Sequence, residues 1–108
     1  MKTIADILRE HSFFEGVTRE DLDFIAGCGK NIHFDEKQNV AKPGDNADEF
    51  YLIRHGKVAL ILEDSNHKPF IFQTVSDNEI LGLCWLIPPY RWTVTAKVIE
   101  PVRAIAIN

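Results

Sequence analysis

Residues 81–96, LGLCWLIPPYRWTVTA, gather into sixteen positions the side chains of this chain best suited to holding a small molecule. Arg91 is the single cation of the stretch. Its guanidinium carries a permanent charge and five N–H donors in a fixed fork, which suits an anion. Trp85 and Trp92 can serve as core, as pocket wall, or as a surface on which a ring stacks. Cys84 reads as a small buried hydrophobe. The stretch is therefore either a buried structural corner or a loop shaped around Arg91.

Other chemistries find less support. A metal centre inside a β-barrel wants two histidines two apart on one strand, joined by a carboxylate and a further histidine. The four histidines, His11, His33, His55 and His67, contain no His-x-His pair. His55 and His67 fall in expected turns, and His11 precedes the first strand. No GxSxG nucleophile motif occurs, and Ser12, Ser65 and Ser76 sit in turn-like surroundings. Two cysteines, Cys28 and Cys84, are too few for a four-cysteine iron–sulfur site and form no CxxC pair. They are expected as reduced thiols in a cytoplasmic protein. The acidic run Asp45 to Glu49 reads as a solvated loop ahead of a strand.

The elements that must position this stretch follow from pattern and punctuation. At 108 residues the chain is read as a single domain, 1–108, with a helical lead-in over 1–30 and strands over 31–108. A net charge of −4 gives no global field toward nucleic acid, so no nucleic-acid partner is expected for this chain itself. No apolar run approaches the ~20 residues of a membrane span, and Asp6 stands where a signal peptide would have its apolar core. Thr3 can cap a short helix with Ile4, Ile7 and Leu8 on one face. Gly16 breaks the run after Phe13 and Phe14. Thr18 caps a second helix, Arg19 to Ala26, with Gly27 and Gly29 as a left-handed stop.

From Asn31 the apolar period becomes that of strands. Short strands are expected at Ile32–Phe34 and Asn39–Ala41, then a Lys42-Pro43-Gly44-Asp45 turn. Glu49–Arg54 and Lys57–Glu63 are read as a hairpin turning at His55-Gly56. A polar turn over Asp64–Lys68 leads into Phe70–Val75. Thr93–Ile99 and Val102–Ile107 close the chain, with Glu100-Pro101 between them. Short strands about ten residues apart indicate a closed all-β architecture. The expected fold is mainly β, a β-roll or jelly roll (double-stranded β-helix) with short N-terminal helices.

Four stretches together resemble the cyclic-nucleotide-binding domain of the Crp/Fnr-like regulators and of the cyclic-nucleotide-gated kinases and channels. They are LREHSFFEGVTREDLDFIA, KPGDNADEFYLIRHGKVALILE, NEILGLCWL and TAKVIEPVRAIAI. The third lies where that family carries its phosphate-binding cassette. Such a cassette needs backbone N–H groups aimed at the phosphate, a cation for its charge, and an acceptor for the ribose hydroxyl. The family pattern is Gly-Glu-apolar-small-Leu followed by Pro-Arg-x-Ala-Thr/Ser. Gly82 matches the glycine. Leu83 stands where the ribose-binding glutamate belongs, and Cys84 and Trp85 follow it. Pro88, Pro89, Tyr90 and Arg91 supply proline and arginine with Tyr90 between them. Counting back from Ala96 instead puts Tyr90 at the arginine position and Thr93 at the Thr/Ser position, so two registers stay open. Thr93 becomes a phosphate donor by the resemblance alone.

The resemblance implies a non-catalytic regulatory or sensor module. It would bind a cyclic nucleotide (cAMP or cGMP) or another small anionic ligand at Gly82, Leu83, Cys84, Trp85, Tyr90, Arg91, Trp92 and Thr93, or have lost its ligand. The alternative is a ligand-free interaction or dimerisation domain, with Trp85, Pro88, Pro89, Tyr90 and Trp92 as its patch. A cupin-like metalloenzyme is the third reading. Regulators of this type continue past the roll into helices, so the chain is read as a stand-alone domain or as a piece of a longer one. In the second case the edge at Ile107 would favour self-association into a homodimer.

Overall fold

A computed structural model describes residues 2–64, 67–82 and 91–108. Leu83, Cys84, Trp85, Pro88, Pro89 and Tyr90, with the centre of the expected 64–68 turn, lie outside the described residues.

The lead-in folds as its local signals dictate. Helix α1 spans Ile4–Glu10; the Thr3 hydroxyl accepts from the Asp6 N–H and the Asp6 carboxylate accepts from the Thr3 N–H, a reciprocal capping box. A single 3₁₀ turn follows at Ser12–Phe14, and Gly16 takes a φ of 87° where the chain reverses. Helix α2 spans Arg19–Gly27, with the Thr18 hydroxyl accepting from the Asp21 N–H. The expected glycine stop is not used: neither Gly27 nor Gly29 has a positive φ, and Cys28 closes the helix in right-handed geometry. Gly29 serves packing instead. A Cβ there would meet the Ile105 side chain at 3.3 Å and the Ala26 carbonyl at 3.4 Å.

Six strands follow: β1 Gly29–Phe34, β2 Asn39–Ala41, β3 Phe50–Asp64, β4 His67–Val75, β5 Ile80–Leu81 and β6 Thr95–Ile107. The sheet runs β1-β6-β3-β4, with β2 also pairing β6 and β5 also pairing β3, all antiparallel. The architecture is the mainly β roll with short N-terminal helices that the patterning implied.

An expected hairpin and an expected pair of closing strands are each one long strand. His55-Gly56 does not turn the chain, and Glu100-Pro101 does not separate two strands. These irregular points face one another: Lys57 pairs with Glu100, and the register slips between Ile53 and Val58. Gly56 has a φ of 113°, and a Cβ on it would lie 2.3 Å from the Pro101 carbonyl and 2.8 Å from the Val102 Cα. The two strands bend together through a bulge and keep their partner.

Two apolar clusters flank the sheet. Inside the roll, Tyr51, Ile53, Val58, Trp92, Val98 and Val102 pack with several alanines. On the outer face, Leu8, Phe14 and Leu22 of the lead-in cover Phe50, Leu52, Ile105 and Ile107. β4 leaves Phe70, Ile71 and Phe72 exposed in succession, so both of its faces are open there. No helix among the described residues is long and apolar enough to cross a membrane.

Candidate functional site

The Lys42–Asp45 turn is the scaffold of the site. Gly44 adopts a φ of 92°, and the Asp45 carboxylate accepts from the Lys42 N–H at 2.9 Å, so side chain and backbone fix the same bend. The segment entering β6 is laced to this turn. The Trp92 N–H donates to the Asp45 carbonyl at 2.9 Å, and the Gly44 N–H donates to the Trp92 carbonyl at 2.8 Å. Asn46 and Arg91 form an isolated antiparallel bridge. Arg91 then donates from Nη1 to the Gly44 carbonyl at 3.1 Å, while its side chain stays exposed. One donor of the guanidinium is committed to holding its position.

Gly82 reaches the same place from β5. It has a φ of 91°, and a Cβ on it would lie 3.0 Å from Cζ2 and 3.2 Å from Cη2 of Trp92, with the Glu49 carbonyl at 3.5 Å. Glycine is required twice over, by conformation and by the close approach of the indole. Trp92 is 6% exposed and belongs to the core of the roll. It is thus a wall of the site and no part of an exposed aromatic patch. Thr93 is exposed. Of the eight residues expected at the site, Gly82, Arg91, Trp92 and Thr93 are described, and the first three converge on the Gly44–Glu49 segment. Leu83, Cys84, Trp85 and Tyr90 lie outside the described residues.

Beside Trp92 is a hollow of about 120 Å³, walled by Ala41, Asp45, Asp48, Glu49 and Tyr51. Its volume is below the roughly 300 Å³ at which pockets for whole small molecules begin. It has room for one part of a ligand. The Tyr51 hydroxyl donates to the Glu49 carboxylate at 3.1 Å. Burial, with the charge of Glu49 added, pushes the Tyr51 phenol above its ordinary value, so it remains a protonated donor. A carboxylate held in this way can still accept from a ligand hydroxyl through its remaining lone pairs.

Glu49 is the residue that sequence reading missed. The acidic run was read as a solvated loop, and Asp45 and Asp48 are indeed exposed, but Glu49 is half-buried and bonded. The available signal was the Glu49-x-Tyr51 spacing, which puts two side chains on one face of a strand starting just after the turn. Thr95 is the buried polar residue among those described. Among the described residues no group of three or more histidine, cysteine or acidic side chains is placed to hold a metal ion. Cys28 is an exposed free thiol.

The site thus has a cation on the 91–93 side and a carboxylate–phenol pair on the β3 side, with a glycine and an indole between. That polarity suits a ligand with an anionic end and a hydroxyl-bearing end.

Comparison with known proteins agrees with the fold. The family model of the cyclic nucleotide-binding domain matches residues 31–108. A solved structure from Geobacter metallireducens, described as a cyclic nucleotide-binding protein, is 30% identical over the whole of this chain and 76% of its own, with a TM-score of 0.87. The regulatory subunit of a cAMP-independent protein kinase A from Trypanosoma cruzi, bound to guanosine, shares the fold with a TM-score of 0.88 at 17% identity, covering 98% of this chain and 38% of its own. Among curated proteins, a cAMP/cGMP-dependent 3′,5′-cAMP/cGMP phosphodiesterase B from Dictyostelium discoideum is 29% identical over 51 residues, 47% of this chain and 5% of that protein. With its family model matching residues 31–108, well over half of its length, the chain belongs to the cyclic nucleotide-binding domain family.

Proposed function

We propose that this domain is a non-catalytic regulatory module. It binds a small anionic ligand of the cyclic-nucleotide class between the 82–93 segment and the start of β3. The observation that carries the reading is the tethering of Arg91. Its backbone bridges Asn46 and its Nη1 is bound to the Gly44 carbonyl, so an exposed guanidinium is held on the same turn whose Asp45 and Asn46 wall the hollow with Glu49 and Tyr51. The anionic end of the ligand lies at Arg91 and its sugar hydroxyls at Glu49. Glu49, the residue just before β3, thereby supplies the carboxylate that Leu83 cannot supply from the cassette. Ligand bound across these two segments ties β5 and the entry of β6 to the Lys42–Asp45 turn, and that shift in population is the regulatory output.

The test is calorimetric titration of the wild-type domain and Arg91→Ala with cAMP, cGMP and the uncharged nucleoside guanosine. A hydrogen bond to a charged group contributes about 1.5–3 kcal/mol, or roughly one to two decades of affinity. Micromolar binding of a cyclic nucleotide that weakens by that factor in Arg91→Ala is the expected result. Guanosine bound equally by both proteins would remove the anion from the reading. Absence of binding by all three would leave the ligand-free interaction domain.

A further inference from the structure

The outer face of the sheet carries a second feature, remote from the 82–93 segment. Cross-strand pairing sorts this face into rows. Gly29, Ile107 and Phe50 form the first row, and Asn31, Ile105 and Leu52 the second. The helical lead-in covers both rows with Leu8, Phe14 and Leu22. The third row is His33, Arg103 and His55, and there the apolar character stops. The bulge in β3 adds a fourth side chain, because Arg54 and His55 together oppose the single residue Arg103. All four are exposed. They line an open groove of about 1050 Å³ that crosses β1, β6 and β3.

The charge pattern of this groove runs against that of the molecule. The chain as a whole carries −4, yet the groove lining holds two arginines against one acid, Asp35. Among the described residues neither Arg54 nor Arg103 has an ion pair or side-chain hydrogen bond. His55 stands 3.7 Å from Asp77, whose carboxylate also accepts from the Gly56 N–H at 3.0 Å and so belongs to the bulge. Lys57 and Glu100, 4.0 Å apart, sit on the next register pair. Two exposed guanidinium forks one bulge apart, unpaired among the described residues and flanked by imidazoles, form a recognition surface for carboxylates.

We propose that this groove docks an acidic segment of a protein partner, with adjacent carboxylates of the partner bound by Arg54 and Arg103. The complementarity is local. Asp35, Asp77 and Glu100 ring the cationic row, so one or two carboxylates are accommodated while a continuous phosphate backbone meets repulsion on either side. The bulge is what builds the site: in a regular strand Arg54 and His55 would point to opposite faces, and only one would join Arg103.

The experiment is fluorescence anisotropy at low ionic strength with a fluorescein-labelled hexapeptide of alternating glutamate and aspartate. Its amide analogue, of glutamine and asparagine, is the neutral control. A double variant Arg54→Gln with Arg103→Gln is compared with Lys68→Gln with Lys97→Gln, two exposed lysines outside the groove whose loss changes net charge equally. Circular dichroism confirms the fold of each, and the single variants Arg54→Gln and Arg103→Gln cover a double variant that fails to fold. The expected result is saturable binding of the acidic peptide alone, weakened about tenfold or more in the arginine variant and unchanged in the lysine variant. Equal binding of the amide analogue, equal losses in the two double variants, or no binding overturns the proposal. A single-stranded oligonucleotide bound more tightly than the peptide, and lost in the arginine variant, overturns it in favour of a nucleic acid.

Discussion

The two apolar clusters of this domain are built from different residues for different ends. The outer cluster is made of large side chains, Leu8, Phe14, Leu22, Phe50, Leu52, Ile105 and Ile107, closing the lead-in onto the sheet without a polar atom among them. The inner cluster is rich in alanine, with Ala41, Ala47, Ala96, Ala104 and Ala106, and its large members Tyr51 and Trp92 each carry a polar group. Alanines on facing strands leave space that leucines would fill. Ala41 alone of these borders the hollow beside Trp92, and the polar edge of the cluster is the Glu49–Tyr51 pair. One cluster closes the lead-in onto the sheet, and the other borders a hollow with polar groups at its edge.

Substitutions should separate these roles. The largest effect is expected at Gly56, which locks the bulge shared by β3 and β6. Gly56→Ala meets the Pro101 carbonyl and an unfavourable φ together. Strain and overpacking sum to about 4 kcal/mol, read as a shift in the denaturant midpoint at constant slope. Leu8→Ala, at a fully buried site of the outer cluster, should cost about 3 kcal/mol and leave ligand affinity unchanged once the protein is folded. A loss of affinity there would mean that the two clusters are coupled. Gly82→Ala, pressed on Trp92, should cost about 2 kcal/mol and weaken ligand binding as well, because the indole wall must move. Stability lost with affinity intact would move the site away from Gly82.

The helices were legible because their signals are local: Thr3 and Thr18 cap where their spacing to Asp6 and Asp21 says they should. The strand breaks were not. Gly56 and Pro101 each carry the signature of a turn when read along the chain, and only their apposition across β3 and β6 makes them one bend. The site divides the same way. Gly82, Arg91 and Trp92 stood out by type and spacing within one stretch. Glu49 lies in an acidic run that reads as solvated, and its role comes from Tyr51 beneath it and Gly82 arriving from β5. Pairing across the sheet is what local pattern omits.

On the proposed function, the ligand enters the hollow beside Glu49 and Trp92 with its anionic end toward Arg91. The direct measurement is a ¹⁵N–¹H correlation spectrum of the domain titrated with cAMP, repeated on Glu49→Gln. Binding at this site predicts shifts concentrated at Gly44, Glu49, Tyr51, Gly82, Arg91 and Trp92, with about tenfold weaker saturation in Glu49→Gln. Shifts that cluster elsewhere, or an unchanged titration in Glu49→Gln, would contradict it.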